Sequence, residues 1–344
     1  MQDVTLDPLE TFACPHCGVR FDSPLPEAFS HIECPHCGES STVPGKFGQF
    51  LLYALQSESV TSSVFDAYDP KLGRNVTLKI LNYVLSKNPE LVESFKREAL
   101  AAAALNSIYV LKVYEFGIHN RQPFMVMEHI EGRFLHDVMQ SDPLSEAQIL
   151  EFVQGIVYGL KDMHEQGIMH GDVMPRNILI HTDQTPRICD FGLARFSGER
   201  TQEWETWSSP YYMPPERIQA GEEDFRGDFY SLGTTLFSML TGQLPFFHLD
   251  EELVLKRKVN EEAPDPRDIK PDISDGIADL TNWLLQRMPE NRPANYGELI
   301  GEIHALKSHM PRRQRAIPEP AAVPMYHAAP NRKRESVGWF VLLV

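Results

Sequence analysis

Between His170 and Gly192 the chain reads HGDVMPRNILIHTDQTPRICDFG, with an Asp at 172, an Asn five residues later and an Asp-Phe-Gly that begins 18 residues after the first Asp. Asp172, Asn177 and Asp190 are oxygen-bearing groups of the kind that phosphoryl transfer needs, and strand-like NILI and RIC flank them and hold the two motifs in register. A second set is made of sulfur. Cys14, Cys17 and Cys34, Cys37 form two C-x2-C pairs separated by sixteen residues, each written CPHCG. Each box can make a tight turn that points two thiolates at one ion, and Gly18 and Gly38 permit the backbone turn that donates N–H to sulfur. Four thiolates close a tetrahedron and leave no position open, so the expected ion is a structural zinc, without which so small a module would not fold. His16 and His36 are expected to point outward.

The rest of the chain must position these groups. Its 344 residues, 42% apolar and 23% charged, have a globular composition with room for two domains. A net charge of −16 argues against a nucleic-acid partner, and residues 1–47, with seven acids and two bases, argue against a nucleic-acid ribbon. From His304 to Val344 the balance reverses to seven Lys/Arg against two Glu, a basic tail for which an anionic membrane surface is the usual partner. The amino terminus, MQDVTLDPLE, carries no charged-then-apolar signal pattern, which places the body in the cytoplasm. In that reducing compartment the paired cysteines read as metal ligands rather than disulfides, and Cys189 stands alone. At the carboxyl end, Arg332, Lys333 and Arg334 precede GWFVLLV, seven residues. A span needs roughly 20, so this end is either the start of a membrane anchor in a longer protein or a short apolar end.

Three segments are expected: a cysteine module over 1–47, a long αβ segment over 48–308, and a Pro/Ala/Arg-rich tail over 309–344 with no apolar period. VPGKFG (Val43 to Gly48) reads as a linker, and the module and the αβ segment as bodies with separate cores. VTLKIL (Val76 to Leu81) and FMVME (Phe124 to Glu128) read as strands. Asn88-Pro89 is an N-cap and N1 signal for a helix running towards Leu105. Ser145 and Gln148 make a capping box, followed by Ile149, Phe152, Ile156, Leu160 and Met163 at helical spacing until Gly167.

From about Gly48 to Ser308 the sequence resembles a eukaryotic-type (Hanks-type) serine/threonine protein kinase of the kind also found in bacteria, and the amino-terminal module resembles a zinc ribbon. The resemblance implies an α+β, two-lobed fold, a small β-rich lobe with one helix over a larger helical lobe, that uses ATP and Mg²⁺ (or Mn²⁺) to phosphorylate a protein. It makes Asp172 the base for the acceptor hydroxyl and Asn177 and Asp190 the magnesium ligands. Lys79 would contact the α- and β-phosphates with Glu98 as its partner; Met127 would be the gatekeeper, the backbone of Glu128 and Ile130 would meet adenine, and Leu179 would lie beneath it. SSPYYMPPE (Ser208 to Glu216) is similar to the family's GTPxYMAPE, with Ser209 at the Thr position that favours a Ser/Thr acceptor. Glu216 would pair with Arg292, Asp228 would brace the catalytic loop, and Trp204 and Trp207 would lie in the activation loop.

Four departures stand out. Aligned on Val64, the phosphate-covering loop is SESVTSSV, with Ser57, Ser59 and Ser62 where the family has glycine, so the loop would be strained or held further from phosphate. Thr77 replaces an alanine above the adenine ring. Gly171 replaces the Arg that would pair with an activation-loop phosphate, although Thr201, Thr206 and Ser208 remain as hydroxyls. Met174 replaces a lysine that neutralises the γ-phosphate, and Arg176 could supply that charge. The alternative to an active enzyme is therefore a pseudokinase scaffold with weak or no phosphotransfer.

Overall fold

The protein is described from a computed structural model, which covers residues 4–22, 24–141, 143–191, 195–196, 209–219 and 223–309. Thr201, Trp204, Thr206, Trp207, Ser208 and the tail beyond His309 lie outside the described residues. The amino-terminal module is two small hairpins, β1 (Thr11–Ala13) with β2 (Arg20–Asp22) and β3 (His31–Glu33) with β4 (Ser40–Thr42). Phe12 stacks on Phe21, and with Cys14, Cys34 and Val43 these rings form a small core.

The next strands build one antiparallel sheet. These are β5 (Gly45–Phe47), β6 (Phe50–Glu58), β7 (Ser62–Asp69) and β8 (Arg74–Leu81), then, after helix α1 (Pro89–Ala103), β9 (Val113–His119) and β10 (Gln122–Glu128). Their spatial order is β5-β6-β7-β8-β10-β9. The Val43–Gly48 segment therefore contributes an edge strand rather than a linker. Residues paired directly across an antiparallel ladder share a face. The pairs Val64 with Lys79, Asp66 with Thr77, and Thr77 with Met127 thus put these side chains on one face. The opposite face carries Phe65, Leu78, Ile80, Phe124 and Val126 in a hydrophobic cluster.

That second face is covered by the amino-terminal module, so the two parts keep separate hydrophobic clusters but pack against one another. Val4, Leu6 and Phe29 pack against it, Phe29 stacking on Phe65 with ring centroids 5.8 Å apart. Asp7 extends the contact. Its N–H donates to Lys46 O, and its carboxylate accepts from the Gly48 N–H (2.7 Å) and Asn120 Nδ2 (2.9 Å) and lies 2.7 Å from His119 Nε2. A half-apolar sheet face left in water would be unfavourable at about 25 cal/mol per Å², and a forty-residue ribbon is too small to hold a large core of its own.

The α1 helix starts where Asn88 accepts from the Glu90 N–H with Pro89 at the first position, as the sequence indicates. The helical part begins beyond β11 (Gly132–Phe134) and α2 (Leu135–Ser141). Its axis is α3 (Glu146–Glu165), opened by the Ser145–Gln148 capping box and burying Ile149, Phe152, Ile156, Leu160 and Met163. After β12 (Ile168–Met169) come the catalytic-loop residues, then hairpin β13 (Ile178–His181) and β14 (Pro186–Ile188), and β15 (Arg195–Phe196), which pairs with β12. Helices α4 (Pro215–Ile218), α5 (Arg226–Thr241), α6 (Glu251–Asn260), α7 (Pro266–Ile269), α8 (Asp275–Leu284) and α9 (Tyr296–His309) follow. The α5 helix is buried from Gly227 to Leu240, so its apolar residues meet neighbours on every side. No helix among the described residues is long and apolar enough to cross a membrane.

Candidate functional site

The cleft between sheet and helices collects the charged residues that the sequence singles out. From β8, Lys79 Nζ donates to Glu98 Oε1 of α1 at 2.6 Å and to Asp190 Oδ1 at 2.8 Å. Burial works against the lysine's charge, but Asp190 and Glu98 more than offset it and hold the ammonium well above its ordinary range. Glu98 is buried and Asp190 half exposed, so the second carboxylate is the one open to a ligand. Asp190 adopts a left-handed backbone, with φ at 63°, which lets it turn toward Lys79 two residues past the end of β14.

Next to Asp190 runs the 170–177 loop, since the Cys189 N–H donates to Asn177 O at 2.9 Å. Asn177 ends a short 3₁₀ turn, Pro175–Asn177, and its Nδ2 donates to Asp172 Oδ2 (2.7 Å) and Asp172 O (2.9 Å). This leaves the amide oxygen as an acceptor, and with the Asp190 carboxylate it makes a hard oxygen donor set suited to magnesium. Burial raises the Asp172 carboxyl above its usual range, while His170, Asn177 and Arg217 pull against that shift. Asp228, at the start of α5, accepts from the backbone N–H of His170 (2.9 Å) and Gly171 (2.7 Å), as expected of a brace. Arg292 and Glu216 form a buried bidentate pair at 2.7 and 2.8 Å. Arg176 is exposed, with no ion pair among the described residues, and Met174 is half-buried beside it.

The side to which the kinase resemblance assigns the base is less apolar than expected. Thr77 and Met127 are buried, Val64 and Leu179 half-buried, and Leu179 sits in β13 between Phe134 and Arg187. The Glu128 N–H is committed to Lys112 O at 2.9 Å, and Ile130 is buried. On the same sheet face lies Asp66, which accepts from Gln56 Nε2 at 2.6 Å and is 3.0 Å from His129 Nδ1. Sequence reasoning missed this buried polar group. An Asp in the middle of the strand pattern SSVFDAYD, three residues before the Asp that ends it, was its visible signal.

The serine-substituted loop resolves the question of strain. None of Ser57, Ser59 and Ser62 has a positive φ. Instead Ser59 to Ser62 closes a tight turn: the Ser59 N–H donates to Ser62 O (2.9 Å) and the Ser62 N–H to Ser59 Oγ (3.0 Å). Asn82, just past β8, ties the tip down by donating to Ser59 O (3.3 Å) and Val60 O (2.8 Å). Beyond the cleft, Tyr212 and Met213 donate to Ser209 O, and the buried Lys258 donates to Tyr211 O (2.5 Å) and Met213 O (2.9 Å), fixing the segment that follows residue 208.

In the ribbon, the four cysteine sulfurs all lie within 4.8 Å of one another. Cys14 to Cys37 is 3.9 Å and Cys17 to Cys34 is 3.6 Å. A tetrahedron of 2.3 Å metal–sulfur bonds has edges of about 3.8 Å, so the set fits one four-coordinate ion. Gly18 and Gly38 take the left-handed turn, with φ at 77° and 74°. Although burial opposes it, the N–H groups of Cys17 and His16 draw Cys14 down to about 6. Against the Glu39 N–H, burial and the neighbouring thiols push Cys37 up to about 12. Four such sulfurs cannot all ionise together without a cation among them.

Comparison with known proteins agrees with this geometry. The family model for the protein kinase domain matches residues 59–308. A probable serine/threonine-protein kinase of Clostridium acetobutylicum is 29% identical over 252 residues, 72% of this chain and 38% of that protein. The serine/threonine-protein kinase PknB of Mycobacterium leprae is 32% identical over 258 residues, 73% of this chain and 42% of the relative. A DNA damage-responsive serine/threonine-protein kinase, RqkA, of Deinococcus radiodurans is 32% identical over 269 residues, 75% of this chain and 39% of the relative. The matched region thus spans about two fifths of these relatives.

Proposed function

The chain belongs to the protein kinase family, and on that premise we propose that it transfers the γ-phosphate of ATP to a serine or threonine hydroxyl of a protein. The observation that carries this most is the meeting of Lys79, Glu98 and Asp190, the last of them beside the joined pair Asp172 and Asn177. A chain that only scaffolds has no chemical need for a base beside two oxygen ligands. Asp172 takes the proton of the acceptor hydroxyl as that oxygen bonds to the γ-phosphorus, and the bond from phosphorus to the β-γ bridging oxygen breaks to release ADP. Asn177 and Asp190 would hold magnesium, which when bound neutralises phosphate oxygens. Lys79, positioned by Glu98, steadies the α- and β-phosphates. Arg176 supplies the cation that Met174 cannot. Ser57, Ser59, Ser62 and Val64 cover the phosphates, Thr77, Met127 and Leu179 enclose the base, and the backbone of Glu128 and Ile130 meets its edge. The ribbon holds one structural zinc through Cys14, Cys17, Cys34 and Cys37.

The test is transfer of labelled γ-phosphate from ATP by the full chain to itself and to a library of Ser/Thr and Tyr peptides, with and without EDTA. Magnesium-dependent phosphoserine or phosphothreonine is expected. No transfer above an ATP blank would reject the enzyme in favour of the scaffold, and phosphotyrosine alone would reject the acceptor. We place the body in the cytoplasm, with Arg332, Lys333 and Arg334 as a basic flank beside an anionic membrane. Binding to phosphatidylserine vesicles no stronger than to phosphatidylcholine vesicles would count against the membrane contact.

A further inference from the structure

Gly171 has both of its backbone groups held by charged side chains. Its N–H donates to Asp228 Oδ1 at 2.7 Å, and its carbonyl accepts from Arg217 Nη1 at 2.7 Å. With φ at +76°, the residue takes the left-handed turn that glycine enters without penalty, and Asp172 follows directly. Arg217 comes from α4 and is itself forked onto Glu223, donating from Nε at 2.7 Å and Nη2 at 2.6 Å. The pair is well enclosed, with the Arg217 side chain 14% and the Glu223 side chain 5% exposed. Its enclosure depends on a missing side chain: a Cβ on Gly227, in the first turn of α5, would stand 2.3 Å from Glu223 Oε1.

We propose that Arg217, locked by Glu223, is a positioning residue that clamps the catalytic loop through the Gly171 carbonyl and so aims Asp172, in place of the arginine that the kinase resemblance expects at 171. The inference rests on the kinase function proposed above. A guanidinium can do this where an ammonium does less well, because its planar fork serves a bidentate carboxylate and still has a third N–H for the carbonyl. Neither charge depends on a modification. Both partners are encoded in the chain six residues apart, bridging the end of α4 to the approach to α5.

Four variants of the full chain test this: R217Q, R217K, E223Q and G227A. The readouts are kcat, ATP dissociation constant and melting temperature. R217Q removes the fork and the charge together, and is expected to lower kcat by about 10- to 100-fold, the scale of a slightly misplaced catalytic group, with ATP affinity within about twofold of native, since Arg217 touches none of the groups proposed to bind nucleotide. R217K keeps one donor and should recover part of the loss. G227A alters neither charge but displaces the Glu223 carboxylate, and should lower kcat in the same direction by less. If R217Q does not fold, the near-isosteric E223Q decides. Native kcat in folded R217Q, or in E223Q and G227A, overturns the proposal, as does a fall in ATP affinity matching that in kcat, which would make Arg217 a general structural residue. Absence of transfer by the native chain overturns the kinase reading and this inference together, whereas transfer that the variants leave undiminished overturns this inference alone.

Discussion

In the ribbon, four sulfurs from two near-identical turns come within 4.8 Å of each other, and the cysteines within each turn are three residues apart. In the cleft, Lys79 and Asp190 meet at 2.8 Å across 111 residues. One site is written locally and twice; the other exists only once two lobes are in place. The lesson is about where organisation resides. Short backbone turns suffice to aim thiolates at an ion, whereas the cleft's charges must be set against one another by packing, because a buried charge without its partner is strongly destabilising. The two are nevertheless joined, since Phe29 and Asp7 fasten the ribbon to the sheet whose other face carries Lys79.

The sharpest break in this comparison is Cys34→Ser. Structural zinc contributes apparent binding free energies on the order of 10 kcal/mol, so the variant should lose its metal, measured by atomic emission as a fall from one zinc per chain. Calorimetry should also show the kinase region melting at lower temperature, because Phe29 lies between the hairpins and covers Phe65; an unchanged transition there would restore the picture of separate bodies. Next comes Asp172→Asn. Loss of the base should reduce kcat by about 10²- to 10⁴-fold while zinc content stays at the native value, and steady-state kinetics with metal analysis on one sample reads both.

A smaller catalytic effect is expected at Arg176. Replacing it with alanine should cost about 10²-fold in kcat with ATP binding little changed by titration calorimetry, and adding Met174→Lys should return part of it. Equal turnover with and without the arginine would leave Met174 uncompensated. Phe29→Ala addresses the join rather than either site. The half-buried ring should contribute about 2 kcal/mol to stability, below the range for fully buried phenylalanines, with zinc retained, so chemical denaturation separates packing from ligation.

The smallest effect is at Asp7. Burial raises its carboxyl, yet bonds from Asn120, the Gly48 N–H and His119 hold it below the ordinary carboxylate range. A group depressed in the folded state stabilises above its unfolded pKa and loses that contribution as pH falls through the folded value. Asp7→Asn should therefore lower the melting temperature by a few degrees near neutrality, roughly 1 kcal/mol, and the difference from native should shrink below about pH 4. A difference that grows on acidification would contradict the sign.

Much of this molecule could be read before any fold was in hand. The cap at Asn88, the capping box at Ser145 and the apolar period of α3 are short-range signals, and they stand where their chemistry indicates. The groups of the cleft were nameable from motif spacing, and Lys79, Glu98 and Asp190 do come together. The serine loop went differently. Three missing glycines suggested strain or retreat, but backbone conformation depends on what else closes the turn, and the closing groups are Ser59's own hydroxyl and an asparagine beyond the next strand. The linker reading of Val43–Gly48 failed for a related reason: Pro and Gly punctuate a chain, but edge-strand pairing is decided by the neighbouring strand and by what covers the sheet.

By itself the sequence determined which residues are candidates for the metal and for the phosphoryl-transfer site and where the main helices start, because each rests on chemistry within a few residues or on a fixed spacing. Only the tertiary structure decided which buried charges hold one another. Arg217 became the clamp on Gly171 because α4, the turn before α5 and the catalytic loop converge, and because Gly227 leaves space for one carboxylate. Asp66 found Gln56 and His129, and Phe29 found Phe65, by the same convergence. Ion pairing and apolar burial act through space and depend on distance and exclusion of water, and neither quantity has a period along the chain.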